Sequence, residues 1–164
     1  MDLKRIFRHL STTAWSVRQA FPASSMQAVE RSIRESEATH EGQVCFAVEH
    51  ALDLPQLLAG QSARERAVEV FSQLCVWDTQ HNSGVLIYLL LADRDVEIIA
   101  DRGVHAYVGD GWEAICRQME ERFRGGEYEA GVVEGIHAVG EHLKRHFPRK
   151  RPGPNELPDK PVVL

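Results

Sequence analysis

The chain has 164 residues, 43% hydrophobic, 26% charged and 7% aromatic, with a formal net charge of −5. That length suits one domain with short appendages, and the composition excludes wholesale disorder, a collagen-like repeat and a disulfide scaffold. The charge is uneven: residues 1–20 carry +3, residues 144–164 carry +4, and residues 21–143 carry −12. An acidic body lacks the basic face that nucleic acid requires, so no nucleic-acid partner is expected, and cations are favoured instead.

Leu3, Ile6, Phe7, Leu10 and Ala14 recur at helical spacing, with Lys4, Arg5, Arg8 and His9 between them, which predicts an amphipathic helix that Pro22 ends. Packing into the core is the expected use of its apolar stripe; attachment to a membrane surface is the alternative. No apolar segment of the signal-peptide type follows the basic N-terminus. The longest apolar stretch, residues 85–92, falls far short of the roughly 20 residues that span a bilayer. No membrane span is therefore expected, and a cytoplasmic location is. Cys45, Cys75 and Cys116 form neither a CxxC pair nor an even set, which argues against a zinc framework or a secreted disulfide set. Cys45 sits in an apolar run and reads as a buried thiol.

Ser24 or Ser25 is placed to cap a second helix striped by Met26, Val29 and Ile33. Residues 43–49 (QVCFAVE) read as a buried strand. Ser62 and Glu65 form a capping box that opens a helix through Ala67, Val70, Phe71 and Leu74, and 78–83 reads as a loop. Residues 84–91 (GVLIYLLL) are too continuously apolar for a strand with one wet face and read as a central strand. A turn at 92–95 joins it to a strand over 96–100 as a hairpin. Trp112, Ile115, Met119 and Phe123 stripe one helix, and Tyr128, Val132, Ile136, Val139 and Leu143 stripe a longer one after Gly125-Gly126. The order ααβαββαα, with its right-handed strand–helix–strand crossover, predicts a three-layer α/β/α sandwich on a small mixed sheet. The expected organisation is an N-terminal amphipathic helix over 1–21, the α/β/α domain over 22–147, and a flexible, proline-rich basic tail over 148–164.

This topology also sorts the loops. The crossover places loop 78–83 and Asp101 at one end of the sheet and Asp93 and Asp95 at the other, about seven residues or roughly 23 Å away. Asp78, His81, Asn82, Asp101 and Arg102 should therefore converge, with Glu37, Thr39, His40 and Glu41 nearby. Oxygen donors gathered at loop ends suit calcium or magnesium. On this reading Asp78 and Asp101 are metal ligands, Asn82 is a neutral ligand or orienter, and Arg102 is a phosphate contact. A bound cation could then polarise a phosphoryl oxygen, the basis of a slow phosphomonoesterase activity. The structural alternative is that Asp78 turns its loop, Asn82 prepares Gly84, and Asp101 pairs with a neighbour. Two further patterns are weaker. Asp93-Arg94-Asp95 has the DxD spacing of aspartyl phosphatases but reads better as a hairpin turn. His142 and His146, four apart on one helix, have zinc spacing but also sit where cations favour a helix C-terminus.

Asn82-Ser-Gly-Val-Leu-Ile-Tyr88, Asp93-Arg94 and Val96-Glu-Ile-Ile-Ala-Asp-Arg-Gly103 together closely resemble the TPM domain family. The helix from Ala63 to Phe71, Trp112, and the Phe123…Gly125…Tyr128…Gly131 region share the resemblance, which covers about residues 22–147. The family takes its name from thylakoid-lumen, photosystem-repair and nematode receptor-modulator proteins. The resemblance implies an α/β/α sandwich, divalent-cation binding or weak acid phosphatase activity in some members, and accessory roles for membrane complexes in others. It aligns Asn82 with the asparagine of an N-N-G stretch, where this chain has Ser83, and Asp101-Arg102-Gly103 with a D-R-G stretch. The alternative function it implies is a non-catalytic module that binds a protein partner or a membrane-associated complex.

Overall fold

The computed structural model describes residues 2–109, 111–150 and 153–164. Its elements, in order, are α1 (Leu3–Ser11), α2 (Ala14–Ala20), α3 (Ala23–Glu37), β1 (Gln43–Glu49), α4 (Leu54–Leu58), α5 (Ala63–Gln73), β2 (Gly84–Leu90), β3 (Asp95–Ala100), α6 (Arg102–Val108), α7 (Gly111–Arg124), α8 (Tyr128–His146) and β4 (Val162–Val163). The strand order is β3-β2-β1-β4. β1 pairs parallel with β2, from Gln43 against Gly84 to Glu49 against Leu90. β2 pairs antiparallel with β3, from Val85 against Ala100 to Leu90 against Asp95. The predicted crossover and hairpin are both present.

Every residue of β1 and β2 is buried, because helices cover both faces of the sheet. On one face Val44, Phe46, Val48, Val85, Ile87 and Leu89 pack with Val29 and Ile33 of α3, the stripe of α7 and the stripe of α8. On the other, Cys45, Ala47, Leu86, Tyr88 and Leu90 pack with Leu57 of α4 and Ala63, Ala67 and Val70 of α5. Alternate side chains of one strand thus serve two cores, as a period of two requires. This is the expected α/β/α sandwich.

The first stretch departs from expectation. Residues 3–20 are not one helix: Thr12 is extended, and Thr13 exchanges a reciprocal capping box with Ser16 to start α2. The apolar stripe of α1 does not join the core. Leu3, Phe7 and Leu10 are 68%, 75% and 64% exposed, and only Ile6 packs, in part, against the second cluster. The side of α1 carrying Arg5, Arg8 and His9 faces the body instead, for reasons given below.

The tail is also ordered where it is described. Val162 and Val163 pair parallel with Ala47 and Val48 as β4. Leu157 is buried, and the Gln43 carboxamide oxygen accepts from the backbone of Glu156 (2.7 Å) and Leu157 (2.8 Å). Arg34 pairs with Asp159 at 3.3 Å. The flexible tail expected from its five prolines and aperiodic pattern is thus replaced, over the described residues 153–164, by a strap that covers the free edge of β1. Arg151 and Pro152 of that segment lie outside the described residues. Two short helices, α4 and α6, also went unpredicted. Asp53 and Gln56 supply a capping box for α4, a signal visible in the sequence.

Candidate functional site

The strand ends nearest loop 78–83 bring some of the expected residues together. The Asp101 backbone N–H donates to the Gly84 carbonyl at 2.9 Å, which closes the β2–β3 ladder. Asn82 adopts φ +50°, a left-handed conformation that asparagine tolerates, and turns the chain into β2. A Cβ on Gly103 would sit 2.5 Å from the Asn82 carbonyl oxygen and 3.0 Å from that of His81. Only glycine lets the two loops approach this closely. Asp101 is the N-cap of α6, and its Oδ1 accepts from the Arg102 N–H at 2.6 Å. The N-S-G and D-R-G stretches therefore fit one another as packing partners.

Asp101 is 8% exposed, and its Oδ2 is buried without a hydrogen-bond partner. An orphaned carboxylate oxygen is costly, and it stands as an unfilled acceptor for a water or a free ligand for a cation. The surrounding donors are fewer than the sequence suggested. Asp78 and Arg102 are exposed, and neither side chain makes an ion pair among the described residues. No group of three or more His, Cys, Asp or Glu side chains could hold a metal among the described residues. One buried carboxylate beside Asn82 fits a cation only with main-chain oxygens and water completing its shell, and no catalytic step follows from such a set.

The same end holds two buried titratable groups whose roles are structural. Glu37 accepts from the Val44 N–H at 2.7 Å. Burial, reinforced by nearby Asp159, pushes its carboxyl up to about 8. His40 is held between the Ser36 hydroxyl and the Gly42 carbonyl, each at 3.0 Å, and burial lowers it to about 4. The carbonyl requires the proton on Nδ1, which leaves Nε2 to accept from the hydroxyl: a fully satisfied neutral ring. The tail reaches this end as well, where Glu156 accepts from the Gln80 N–H at 2.7 Å.

At the opposite end, the Asp93 carboxylate is surrounded. It pairs with Arg5 at 2.9 Å, with Arg8, and with His9 Nε2 at 3.1 Å. His9 Nδ1 accepts from the Leu52 N–H at 3.0 Å, so the ring proton sits on Nε2 and faces Asp93. Burial raises the Asp93 carboxyl, but the hydrogen bonds from Arg5 and Arg8 outweigh it and hold the group below its ordinary value. Burial likewise holds His9 below its ordinary value, against the pull of Asp93. Both carboxylate oxygens of Asp93 are thus taken up by cationic partners on α1. Asp93 is the anchor of α1, and Arg94 at φ +53° makes the turn beside it. His142 and His146 pack on Trp112 and Tyr107, with ring centroids 5.6 and 5.2 Å apart, as parts of aromatic clusters. Near Asp93, Glu49 is bound by Arg66 at 2.9 and 3.0 Å and by the Tyr88 hydroxyl at 2.5 Å. Sequence reasoning missed this triad, since its members are 17 and 39 residues apart in the chain.

The chain belongs to the TPM domain family, whose model matches residues 17–142. Among solved structures it is similar to the BA42 protein of the psychrophilic bacterium Bizionia argentinensis, with 27% identity and a TM-score of 0.77 over 88% of this chain and 95% of that one. It also shares its fold with the N-terminal domain of a protein from P. gingivalis, with 20% identity and a TM-score of 0.62 over 80% of this chain and 83% of that one. No curated protein matches it. No helix among the described residues is long and apolar enough to cross a membrane.

Proposed function

We propose that this TPM domain is a non-catalytic docking module, and that it engages its target through the outward apolar face of α1. The observation that carries this reading is the inverted seating of that helix. Leu3, Phe7 and Leu10 face solvent, while Arg5, Arg8 and His9 are tied to Asp93 behind them. Three large apolar side chains on one exposed helix face, with Trp15 63% exposed on the next helix, are the kind of patch that marks an interaction surface. The free thiols Cys45, Cys75 and Cys116 suit a reducing compartment such as the cytoplasm.

A photo-crosslinking residue at position 7 tests the reading, with position 68 on α5, also exposed, as control. Adducts at 7 that Leu10→Glu abolishes, and that position 68 does not form, are expected. Equal yields at the two positions would refute it.

A second reading rests on the orphaned Oδ2 of Asp101. In it, a calcium or magnesium ion binds beside Asn82 and Asp101, with Asp78 lending negative charge, and Arg102 recruits a phosphate. Weak phosphatase activity belongs to this reading alone. Calcium titration of the wild type against Asp101→Asn, described below, tests it.

A further inference from the structure

Resting on the docking role proposed for α1, we infer that the surface it fits is an anionic lipid bilayer, on which α1 and α2 lie in the interfacial plane. Charge selects this occupant. Residues 3–20 contain Lys4, Arg5, Arg8 and Arg18 and not one Asp or Glu, whereas residues 21–143 carry −12. The apolar stripe is therefore attached to the one cationic stretch at this end of an otherwise acidic body. An anionic plane attracts that stretch and repels the acidic residues 21–143. The basic segment 144–150 closes α8 at the far end of the sheet and carries no exposed apolar ridge, so the plane meets Leu3, Phe7 and Leu10.

Geometry agrees. At 100° per residue, Leu3, Phe7 and Leu10 fall within one narrow arc of α1, Lys4 lies on its flank, and Arg5, Arg8 and His9 lie toward the far side. A convex helix with an apolar ridge and a cationic flank is the form of an interfacial membrane helix. Lys4 and Arg18 are exposed and make no ion pair among the described residues, so both are free to meet headgroups. Trp15 adds an indole, whose apolar body and polar N–H suit the headgroup boundary.

The chain also has a seat for a headgroup. A cleft of about 640 Å³ opens at the joint between α1 and α2, lined by Arg8, Thr12, Ser16, Asp93 and Arg94 among others. Asp93 is already neutralised by Arg5 and Arg8, and the Thr12 hydroxyl donates to the Arg8 carbonyl, which leaves the exposed Arg94 and the Ser16 hydroxyl to receive a phosphate. The clamp on Asp93 serves this arrangement by fixing the roll of α1. Without it the helix would be free to turn its apolar stripe inward.

Flotation of the full chain with vesicles tests the inference. The vesicles contain either phosphatidylcholine alone or phosphatidylcholine with roughly 30% phosphatidylserine, at low and high salt. Co-flotation with the anionic vesicles at low salt is expected, falling steeply with added salt and absent for neutral vesicles. In a Trp77→Phe background, Trp15 emission should move to the blue on binding, while buried Trp112 contributes a constant signal. Phe7→Glu with Leu10→Glu should abolish both responses, and Lys4→Gln and Arg18→Gln should each weaken binding about fivefold.

Three results would overturn the inference: no flotation at low salt, flotation undiminished by the two glutamates, or a dimer of the free chain that buries position 7. If position 7 then crosslinks to a protein, the docking role stands and only the lipid surface falls. If it crosslinks to nothing, both fall. Circular dichroism of each variant keeps misfolding from counting as loss of binding.

Discussion

The two ends of the sheet treat buried carboxylates in opposite ways. At the end where β1 and β2 finish, two are matched to cations, Glu49 to Arg66 and Asp93 to Arg5, Arg8 and His9, while the half-buried Asp95 beside them has no ion pair among the described residues and is pushed up to about 6 by burial and its acidic neighbours. Where those strands begin, Glu37 and Asp101 have no ion pair among the described residues, and they rely on the backbone N–H groups of Val44 and Arg102. The paired end therefore fixes geometry, above all the roll of α1. At the under-paired end a proton relieves the burial of Glu37, and the free oxygen of Asp101 is open to a cation or a water.

The largest effect is expected at the paired end. Arg66→Met leaves Glu49 buried with only the Tyr88 hydroxyl and should cost about 3–5 kcal/mol in urea unfolding. A loss below about 1 kcal/mol would show that water reaches Glu49 and that the pairing there is ornamental. Asp93→Ala removes the anchor of α1 and strands His9, and should cost about 2–3 kcal/mol. Amide exchange across residues 3–11 should accelerate more than exchange in β2, which separates release of the helix from global loosening.

The under-paired end should respond to pH with a definite sign. The folded state raises Glu37 from 4.5 to about 8, so it holds a proton that the unfolded chain has released. Stability from this group is fully present below about pH 4.5 and declines as pH rises through 8. Glu37→Gln keeps an acceptor for the Val44 N–H without the titration. Its advantage over the wild type should therefore grow from pH 5 to pH 8, reaching about 1–3 kcal/mol. A constant difference would mean that Glu37 is ionised in the fold. His40 acts in the other direction. Lowered from 6.5 to about 4, it supports the fold above pH 6.5 and withdraws that support as pH falls toward 4.

A smaller effect is expected at Asp101. If its free oxygen binds calcium, millimolar calcium should raise the melting temperature of the wild type by a few degrees and leave Asp101→Asn unmoved, an effect of about 1 kcal/mol. Equal rises in both proteins would remove Asp101 from any site. A lower melting point for the variant with and without calcium would make it a cap of α6 and nothing more.

The fold was legible because the apolar patterns were unambiguous. Residues 84–91 could only be a strand buried on both faces, and Ser62 and Glu65 announce α5 before its stripe begins. The place of Asp101 opposite Asp93 followed from the crossover and the tight 92–95 turn together. What the sequence did not show depends on partners far along the chain. An amphipathic stripe says that one face differs from the other, not which face the body will take. Asp93, some 85 residues away, decides it by collecting Arg5 and Arg8. The tail was equally opaque: prolines suggest looseness, but the unpaired edge of β1 and the Gln43 side chain give that segment a track to follow. The convergence of loops at the candidate metal site was legible, but the capping of α6 by Asp101 and the close packing of Gly103 on the Asn82 carbonyl were not.

The seating of α1 underlies both the docking role and the lipid inference, and thermal unfolding of Phe7→Asp with Leu10→Asp tests it most directly. With the stripe outward, the double variant should melt within about 2 °C of the wild type, because exposed sites change stability by only about 0.5 kcal/mol. A fall of about 10 °C or more would mean that Phe7 and Leu10 are packed into the core, and that α1 presents no apolar face.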